Sequence, residues 1–573
     1  MIPEINSKRS RRGWLLYSKY ESPAFPPDPV ETDPGRLSPV FSSGFFKAKK
    51  GKLATWALSV LFLLWNIVPQ PILAAGQQTK AQEEIPFRNI HFLEPGDSNR
   101  IRLLKAARVI PGQRQLTWQK RELAAFIHFG INTFTDQELG EGTEDPAVFN
   151  PTAFDPGQWA RVLKEAGFKM IIITAKHHDG FCLWPTQTTD YSVKKSPWQQ
   201  GRGDIIKEVS AACRKEGLAF GFYLSPWDRH EKTYGSQAYN EFFRTQLKEL
   251  LTNYGPVAEV WFDGYCGEGP NGRKQEYEWN SYYELVRRFQ PEAVIAISGP
   301  DVRWVGNENG LARESEWSVL PLPLSEGELA GVSRRETSLD MVFRPLNLMG
   351  EDLGSREKIL QARALFWYPA EVDVSIRPGW FYHQSQDNQV KSGLELFNIY
   401  LQSVGRNSVL LLNVPADRRG LLADNDIKVL QEFRRLVANS FKKNLADRAR
   451  IKASQTAAGH KIEAIIDGGS EACWLATDNG EPIIIELELD KQAVINCLEL
   501  QEEITLGQRI EAFKLEVRDE QDWLQVAKGT TVGYKRLITF PEIPAKKLRL
   551  VITSSRSAPA LKKLGLYKLA APL

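Results

Sequence analysis

The 573 residues include only five cysteines, four methionines and seven histidines. Cys182, Cys213, Cys266, Cys473 and Cys497 are odd in number, and no two stand at a C-x-x-C spacing, which argues against a disulfide framework and a zinc site. In an oxidising compartment Cys473 and Cys497 are candidates for pairing, a point the sequence leaves open. Neither sign of charge is in excess: 73 Lys and Arg face 70 Asp and Glu. With no polybasic face, nucleic acid is not an expected partner. No G-x-G-x-x-G follows an apolar strand, which counts against a dinucleotide fold. There is no internal repeat. With 42% hydrophobic and 25% charged residues, the chain is not disordered, collagenous or coiled-coil.

Aromatic residues are plentiful, at 10% with 16 Trp, and suit a large core or a sugar-binding surface. The N-terminus stands apart. Residues 1–75 carry ten basic and five acidic residues, which leaves 63 basic and 65 acidic in the remainder, a balance of −2. Basic residues from Lys47 to Lys52 precede an uncharged run from Leu53 to Val68, then Pro69, Pro71 and the small residues Ala74, Ala75 and Gly76. Residues 47–76 therefore read as a signal peptide, with an N-terminal membrane anchor as the alternative; the run is slightly short for a span. Export to a periplasmic or extracellular location is expected, with membrane contact only if the leader is uncleaved. Residues 1–46 are rich in Pro and Arg. They read as a disordered or mis-annotated extension, with initiation expected nearer Val40.

Residues 86–440 alternate apolar strands with amphipathic helices. Strands are expected at Ala124–Asn132, Lys169–Gly180, Ala219–Ser225, Glu259–Gly264 and Ala293–Ser298. Helices are expected at Asp155–Gly167, Ile205–Gly217, Phe242–Gly255 and Ser281–Pro291. Weaker strands follow at Glu371–Ile376 and Ser408–Val414, with a closing helix at Asp424–Phe441. Nearly continuous apolar strands separated by helices imply a parallel sheet buried on both faces, and the number of units favours a (β/α)8-like (TIM) barrel. Residues 445–573 switch to short β-rich runs separated by turns, an antiparallel β-sandwich.

Barrel active sites lie at the C-terminal ends of the strands. Those tips carry His128, then His177, His178 and Asp179, then Tyr223 with Trp227, Asp228 and His230, then Trp261 and Asp263. Four of the seven histidines fall on them. Asp263 closes a core strand, where an unpaired carboxylate is costly, so a catalytic role competes with a turn-capping one. His177 and His178 are adjacent on an extended segment and point opposite ways, so they are poor joint metal ligands. No metal and no cofactor is expected. One carboxylate among His, Tyr and Trp, with a second supplied by Glu308, Glu314 or Glu316 after the fifth strand, describes a glycosidase pocket.

The segments Phe126–Phe134 (FIHFGINTF), Lys176–Phe181 (KHHDGF), Phe222–Asp228 (FYLSPWD), Val260–Gly264 (VWFDG), Gly379–His383 (GWFYH) and Val404–Gly420 resemble the α-L-fucosidases of glycoside hydrolase family 29, in the family's order over residues 115–440. Gly299–Glu308 (GPDVRWVGNE) and the sandwich, which resembles a galactose-binding-like domain, are similar to the subgroup preferring α1,3/1,4-linked fucose. The resemblance implies a retaining exo-glycosidase acting on fucosylated oligosaccharides or glycoconjugates by double displacement. It implies Asp263 as nucleophile and Glu308 as acid/base, with their carboxyls about 5–5.5 Å apart. His128, Glu138, His177, His178 and Tyr223 match the residues that hold the sugar, and Trp261 matches the aromatic before the nucleophile. The Trp that usually follows the Glu is Leu139 here. Trp304 and Trp317 are candidates for the leaving-group side. Two other readings are another barrel glycosidase with a different sugar specificity and a catalytically inactive sugar-binding protein.

Overall fold

The computed structural model describes residues 85–324, 338–346, 348–467, 472–480 and 482–571. The expectations for residues 1–46 and 47–76 lie outside them. Among the described residues no helix is long and apolar enough to cross a membrane.

Eight parallel strands form one sheet: β1 Leu123–Ile127, β2 Met170–Lys176, β3 Ala219–Leu224, β4 Glu259–Phe262, β5 Val294–Ile297, β6 Arg303–Trp304, β7 Ala370–Ser375 and β8 Ser408–Asn413. Their order is β5-β4-β3-β2-β1-β8-β7-β6. A single parallel bridge between Ala296 and Val302 joins the two ends, so the sheet closes into a barrel. Six longer helices flank it: α1 Pro156–Ala166, α2 Ile205–Glu216, α3 Gln237–Asn253, α4 Trp279–Phe289, α5 Gly393–Gln402 and α6 Asp424–Ser440. Only residues 298–302 separate β5 from β6, too few for a helix. The segment between β6 and β7 instead supplies Val319–Leu322 and Ala364–Trp367, which form an antiparallel three-stranded sheet with Ile90–Phe92 from before β1.

Local chemistry sets the boundaries. In α1 the Asp155 side chain accepts from Gln158 N, Pro156 opens the helix, and Gly167 ends it at φ 100°, a left-handed conformation suited to glycine. Trp159, Ala160, Leu163 and Ala166 form its buried face. Strand alternation divides the core. Ala124, Phe126, Met170, Ile172, Tyr223, Trp261 and Leu411 fill the barrel, while Ala125, Ile127, Ile171 and Ile173 pack outward among helix residues.

The interior also holds carboxyls, each accepting from an indole. Trp118 donates to Glu259 at 2.7 Å, Trp261 to Glu371 at 2.8 Å and Trp304 to Asp373 at 2.8 Å. One oxygen of each of Glu259 and Glu371 is buried without a hydrogen-bond partner among the described residues, and, after burial, the charge of Glu259 helps to raise the Glu371 pKa. Burial pushes Glu259 up to about 7 and Glu371 and Asp373 well above the ordinary carboxyl range.

The C-terminal region holds seven strands paired antiparallel: β9 Arg450–Ala453, β10 Trp474–Leu475, β11 Ile483–Glu502, β12 Ile510–Asp519, β13 Asp522–Gly529, β14 Arg536–Ser555 and β15 Ala560–Tyr567. The two runs expected at Pro482–Leu489 and Ala493–Glu503 are one strand, β11, whose pairing with β14 shifts between Glu488 and Ala493. The sandwich meets the barrel where the strands begin. Lys535 Nζ lies 2.5 Å from Glu122, just before β1, and Asn407, just before β8, accepts from Tyr534 N at 2.7 Å. All five cysteines are free thiols. The candidate pair is separated by packing: Cys497 is buried against the barrel-side core, whereas Cys473 lies beside His460.

Candidate active site

Asp263 follows β4 at the rim. Its Oδ1 accepts from the backbone N–H of Tyr265 at 2.8 Å and its Oδ2 from the phenol of Tyr223 at 3.1 Å. Burial and the charge of Asp263 push the Tyr223 hydroxyl well above its ordinary range, so it remains a donor. His178 Nε2 stands 3.6 Å from Asp263 Oδ2, too far for a direct hydrogen bond.

Three histidines wall the same space. Asn413, at the end of β8, donates its amide to Ser375 Oγ and Trp380 O, which turns its carbonyl oxygen toward His128 Nδ1 at 2.8 Å. His128 Nδ1 therefore carries the proton and Nε2 is left as an acceptor. Burial lowers the His128 pKa to about 3, so the ring is neutral. Ser225 donates its hydroxyl to Trp227 O, so its oxygen accepts from His178 Nδ1 at 2.7 Å, fixing the second tautomer in the same way. His177 stacks near Tyr223, with ring centroids 5.6 Å apart, and its buried Nδ1 has no partner among the described residues. Burial first, then the neighbouring His178 and His128, drives its pKa well down. Three neutral imidazoles thus face the nucleophile candidate with acceptor and donor capacity to spare, as recognition of neutral hydroxyls requires.

Glu308 is exposed at the mouth. Enclosure by protein, then the negative charges of Asp263 and Glu138, raise its pKa, while a hydrogen bond from the Trp380 side chain opposes them. Glu138 reaches the rim from the loop after β1. Its Oε2 accepts from Trp380 N at 2.9 Å.

The structure brings Asp263, Glu308, His128, Glu138, His177, His178 and Tyr223 to one rim. Trp261 lies on the same strand face as Asp263, but its indole points down to Glu371, so it floors the site. Trp317 is elsewhere. Its ring lies under Arg556 of the sandwich, with 3.6 Å from the guanidinium carbon to the centroid, and its Nε1 donates to Asp352 at 2.6 Å. Glu314 and Glu316 are also spent away from the rim: Glu314 pairs with Arg536 and Arg406, and Glu316 with Arg303 and Arg313. His230 donates Nδ1 to Gly142 O and stacks on Tyr191 at 3.9 Å, bracing a loop. Trp380, 5.2 Å from the His128 ring, and Asn413 were not singled out by sequence reasoning, although both lie at strand tips. No cluster of metal-ligating side chains occurs among the described residues.

A barrel with two carboxyl groups, neutral histidines and aromatic walls at its rim defines the class: a glycoside hydrolase. Residues 129–311 match the alpha-L-fucosidase family model, and residues 450–563 match the F5/8 type C domain. Alpha-L-fucosidase 1 of Arabidopsis thaliana is 41% identical over 467 residues, covering 80% of this chain and 87% of that protein. A candidate α-L-fucosidase from Bacteroides ovatus shares 47% identity over 86% of this chain and 79% of that one, with a TM-score of 0.74. The Ruminococcus gnavus GH29 fucosidase, solved in complex with fucose, is 32% identical over 80% of this chain and 95% of that one, with a TM-score of 0.69. The chain belongs to the α-L-fucosidases of glycoside hydrolase family 29, enzymes that release fucose from glycans.

Proposed function

We propose that this enzyme is a retaining exo-glycosidase that removes terminal α1,3/1,4-linked L-fucose, with Asp263 as nucleophile and Glu308 as acid/base. In the first step a carboxylate oxygen of Asp263 bonds to the anomeric carbon. The glycosidic C–O bond breaks, and Glu308 gives its proton to the departing oxygen. In the second step Glu308, now a carboxylate, takes a proton from water. The water oxygen bonds to the anomeric carbon, and Asp263 leaves as a carboxylate. His128, His177, His178, Tyr223 and Glu138 hold the sugar hydroxyls, over a floor made by Trp261.

One observation carries the reading. Asp263 is held by Tyr223 and the Tyr265 amide at the rim where enclosure and the negative charges of Asp263 and Glu138 raise the Glu308 pKa. The commitment of Glu314 and Glu316 to arginines favours Glu308 over them. A cavity of about 110 Å³ lined by Gly264, Ser298, Trp304, Leu346, Leu348 and Met349 adjoins the nucleophile and supports an aglycone side there. A larger one of about 470 Å³, by Asp447, Glu463 and Asp467, contains none of the site residues. The leader at residues 47–76 is read as an export signal.

Hydrolysis of nitrophenyl α-L-fucoside but not of the galactoside tests the sugar specificity. Cleavage of a Lewis trisaccharide in preference to 2′-fucosyllactose tests the linkage; the reverse preference contradicts it.

A further inference from the structure

We propose that His383, in the loop after β7, is a positioning residue: as an imidazolium it straps Asp136 and Glu138 together and so holds Glu138 in the sugar site. The proposal deepens the reading above, in which Glu138 binds the sugar. The geometry is specific. His383 Nδ1 lies 2.8 Å from Asp136 Oδ1, and Nε2 lies 2.7 Å from Glu138 Oε1. A neutral imidazole has one N–H and can donate to only one of them, whereas an imidazolium donates to both. The pairing with Glu138 is the main influence raising the His383 pKa; burial opposes it and Asp136 adds to it.

The partners are arranged to be held. Asp136 ends the short helix Ile131–Thr135 with φ 62°, a left-handed conformation that Asp adopts more readily than most residues. A Cβ at Gly379 would collide with Glu138 Oε1, so glycine is needed for the loop to close over that carboxylate. Both oxygens of Glu138 are then fixed, Oε1 by the imidazole and Oε2 by Trp380 N with Phe381 N at 3.5 Å, and Oε1 keeps a lone pair for a sugar hydroxyl. His383 thereby ties the loop after β1 to the loop after β7.

Other charged groups near these loops have their own partners. Arg377 pairs with Asp387 and Asp426, Tyr382 donates to Asp387, Arg419 pairs with Asp417, and Arg418 donates to Thr133 O. Across the rim, Glu308 senses the charge of Glu138. Loss of one imidazolium proton leaves a single N–H, which can hold only one of the two carboxylates, so the strap between Asp136 and Glu138 breaks and the hold on Glu138 weakens. Sugar affinity is therefore expected to fall at alkaline pH.

The test is the inhibition constant of free L-fucose between pH 6 and 9.5. In the unmodified enzyme it should be flat at low pH and then rise about tenfold with a one-proton dependence, the equivalent of one hydrogen bond to a charged group. His383→Gln should start about tenfold weaker at pH 6.5 and show no rise, with its loss of kcat/KM carried by KM. Asp136→Asn should move the rise to lower pH. An inhibition constant for His383→Gln within twofold of the unmodified enzyme, or a retained alkaline rise, would overturn the proposal. Nitrogen NMR of the ¹⁵N-histidine-labelled unmodified enzyme decides the point even if the variants do not fold. At pH 7.5 one ring should be protonated on both nitrogens and should titrate with the inhibition constant; its absence would equally overturn the strap. Failure to hydrolyse any fucoside would instead sink the proposed function, and the NMR would still report the charge on His383.

Discussion

The phenol of Tyr223 donates to Oδ2 of Asp263 across 3.1 Å, linking the ends of two adjacent barrel strands. With the Tyr265 amide on Oδ1, the carboxylate is fixed in orientation. Tyr223→Phe removes one donor and leaves the ring packing. A hydrogen bond to a charged group contributes about 1.5–3 kcal/mol, so kcat/KM on nitrophenyl fucoside should fall roughly 10- to 100-fold with the melting temperature little changed. An unchanged kcat/KM would mean that this contact does not support the nucleophile.

Glu308 must be protonated in the first step, so the alkaline limb of kcat/KM against pH should report its titration. The negative charge of Glu138 raises that pKa. Glu138→Gln should therefore shift the limb to lower pH, whatever it does to the height of the profile. Glu308→Gln should abolish the limb, and azide should partly restore turnover of a substrate with a good leaving group. A limb that survives in Glu308→Gln would assign the acid to another residue.

The carboxyls inside the barrel give stability its own pH dependence. Glu259 and Glu371 have pKa values raised above those of the unfolded chain. Between the unfolded value, about 4.3, and the folded one, the folded state binds more protons. Stability is thus fully present at low pH and is lost as pH rises through the folded pKa, about 7 for Glu259 and likewise raised well above the ordinary carboxyl range for Glu371. Glu371→Gln keeps an acceptor for Trp261. Its melting temperature should match the unmodified protein near pH 5 and exceed it above pH 8. An equal loss at both pH values would show that the proton is not the issue.

Trp317 braces the sandwich against the barrel rather than lining the site. Trp317→Ala should cost about 3–5 kcal/mol by large-to-small core replacement, read by denaturant unfolding, while KM for a small aryl fucoside stays unchanged. A raised KM with full stability would return Trp317 to the substrate side.

Much of the barrel was legible because buried parallel strands are written as apolar runs and helices carry their own caps. Asp155 and Gly167 marked α1 to within a residue. The strand β6 was not legible: it is two residues long, and its Trp304 turns to Asp373 inside the barrel while Arg303 pairs with Glu316, so neither period nor hydrophobicity marks it. At the site, the tip rule found Asp263 and the histidines because each stands at the end of a strand. It failed for Trp317, which has an equally suggestive sequence neighbourhood but is drawn away by Arg556, 239 residues later in the chain. His383 appeared only as part of a motif, since its meaning depends on Asp136 and Glu138 arriving from a distant loop.

The most direct test is covalent trapping with a 2-fluorinated fucosyl donor followed by peptide mass spectrometry. Slow turnover of the fluorosugar ester should leave the label on the peptide containing Asp263, and Asp263→Asn should take up none. A label on any other residue, or inactivation of Asp263→Asn at the same rate, would contradict the assignment of Asp263 as the nucleophile.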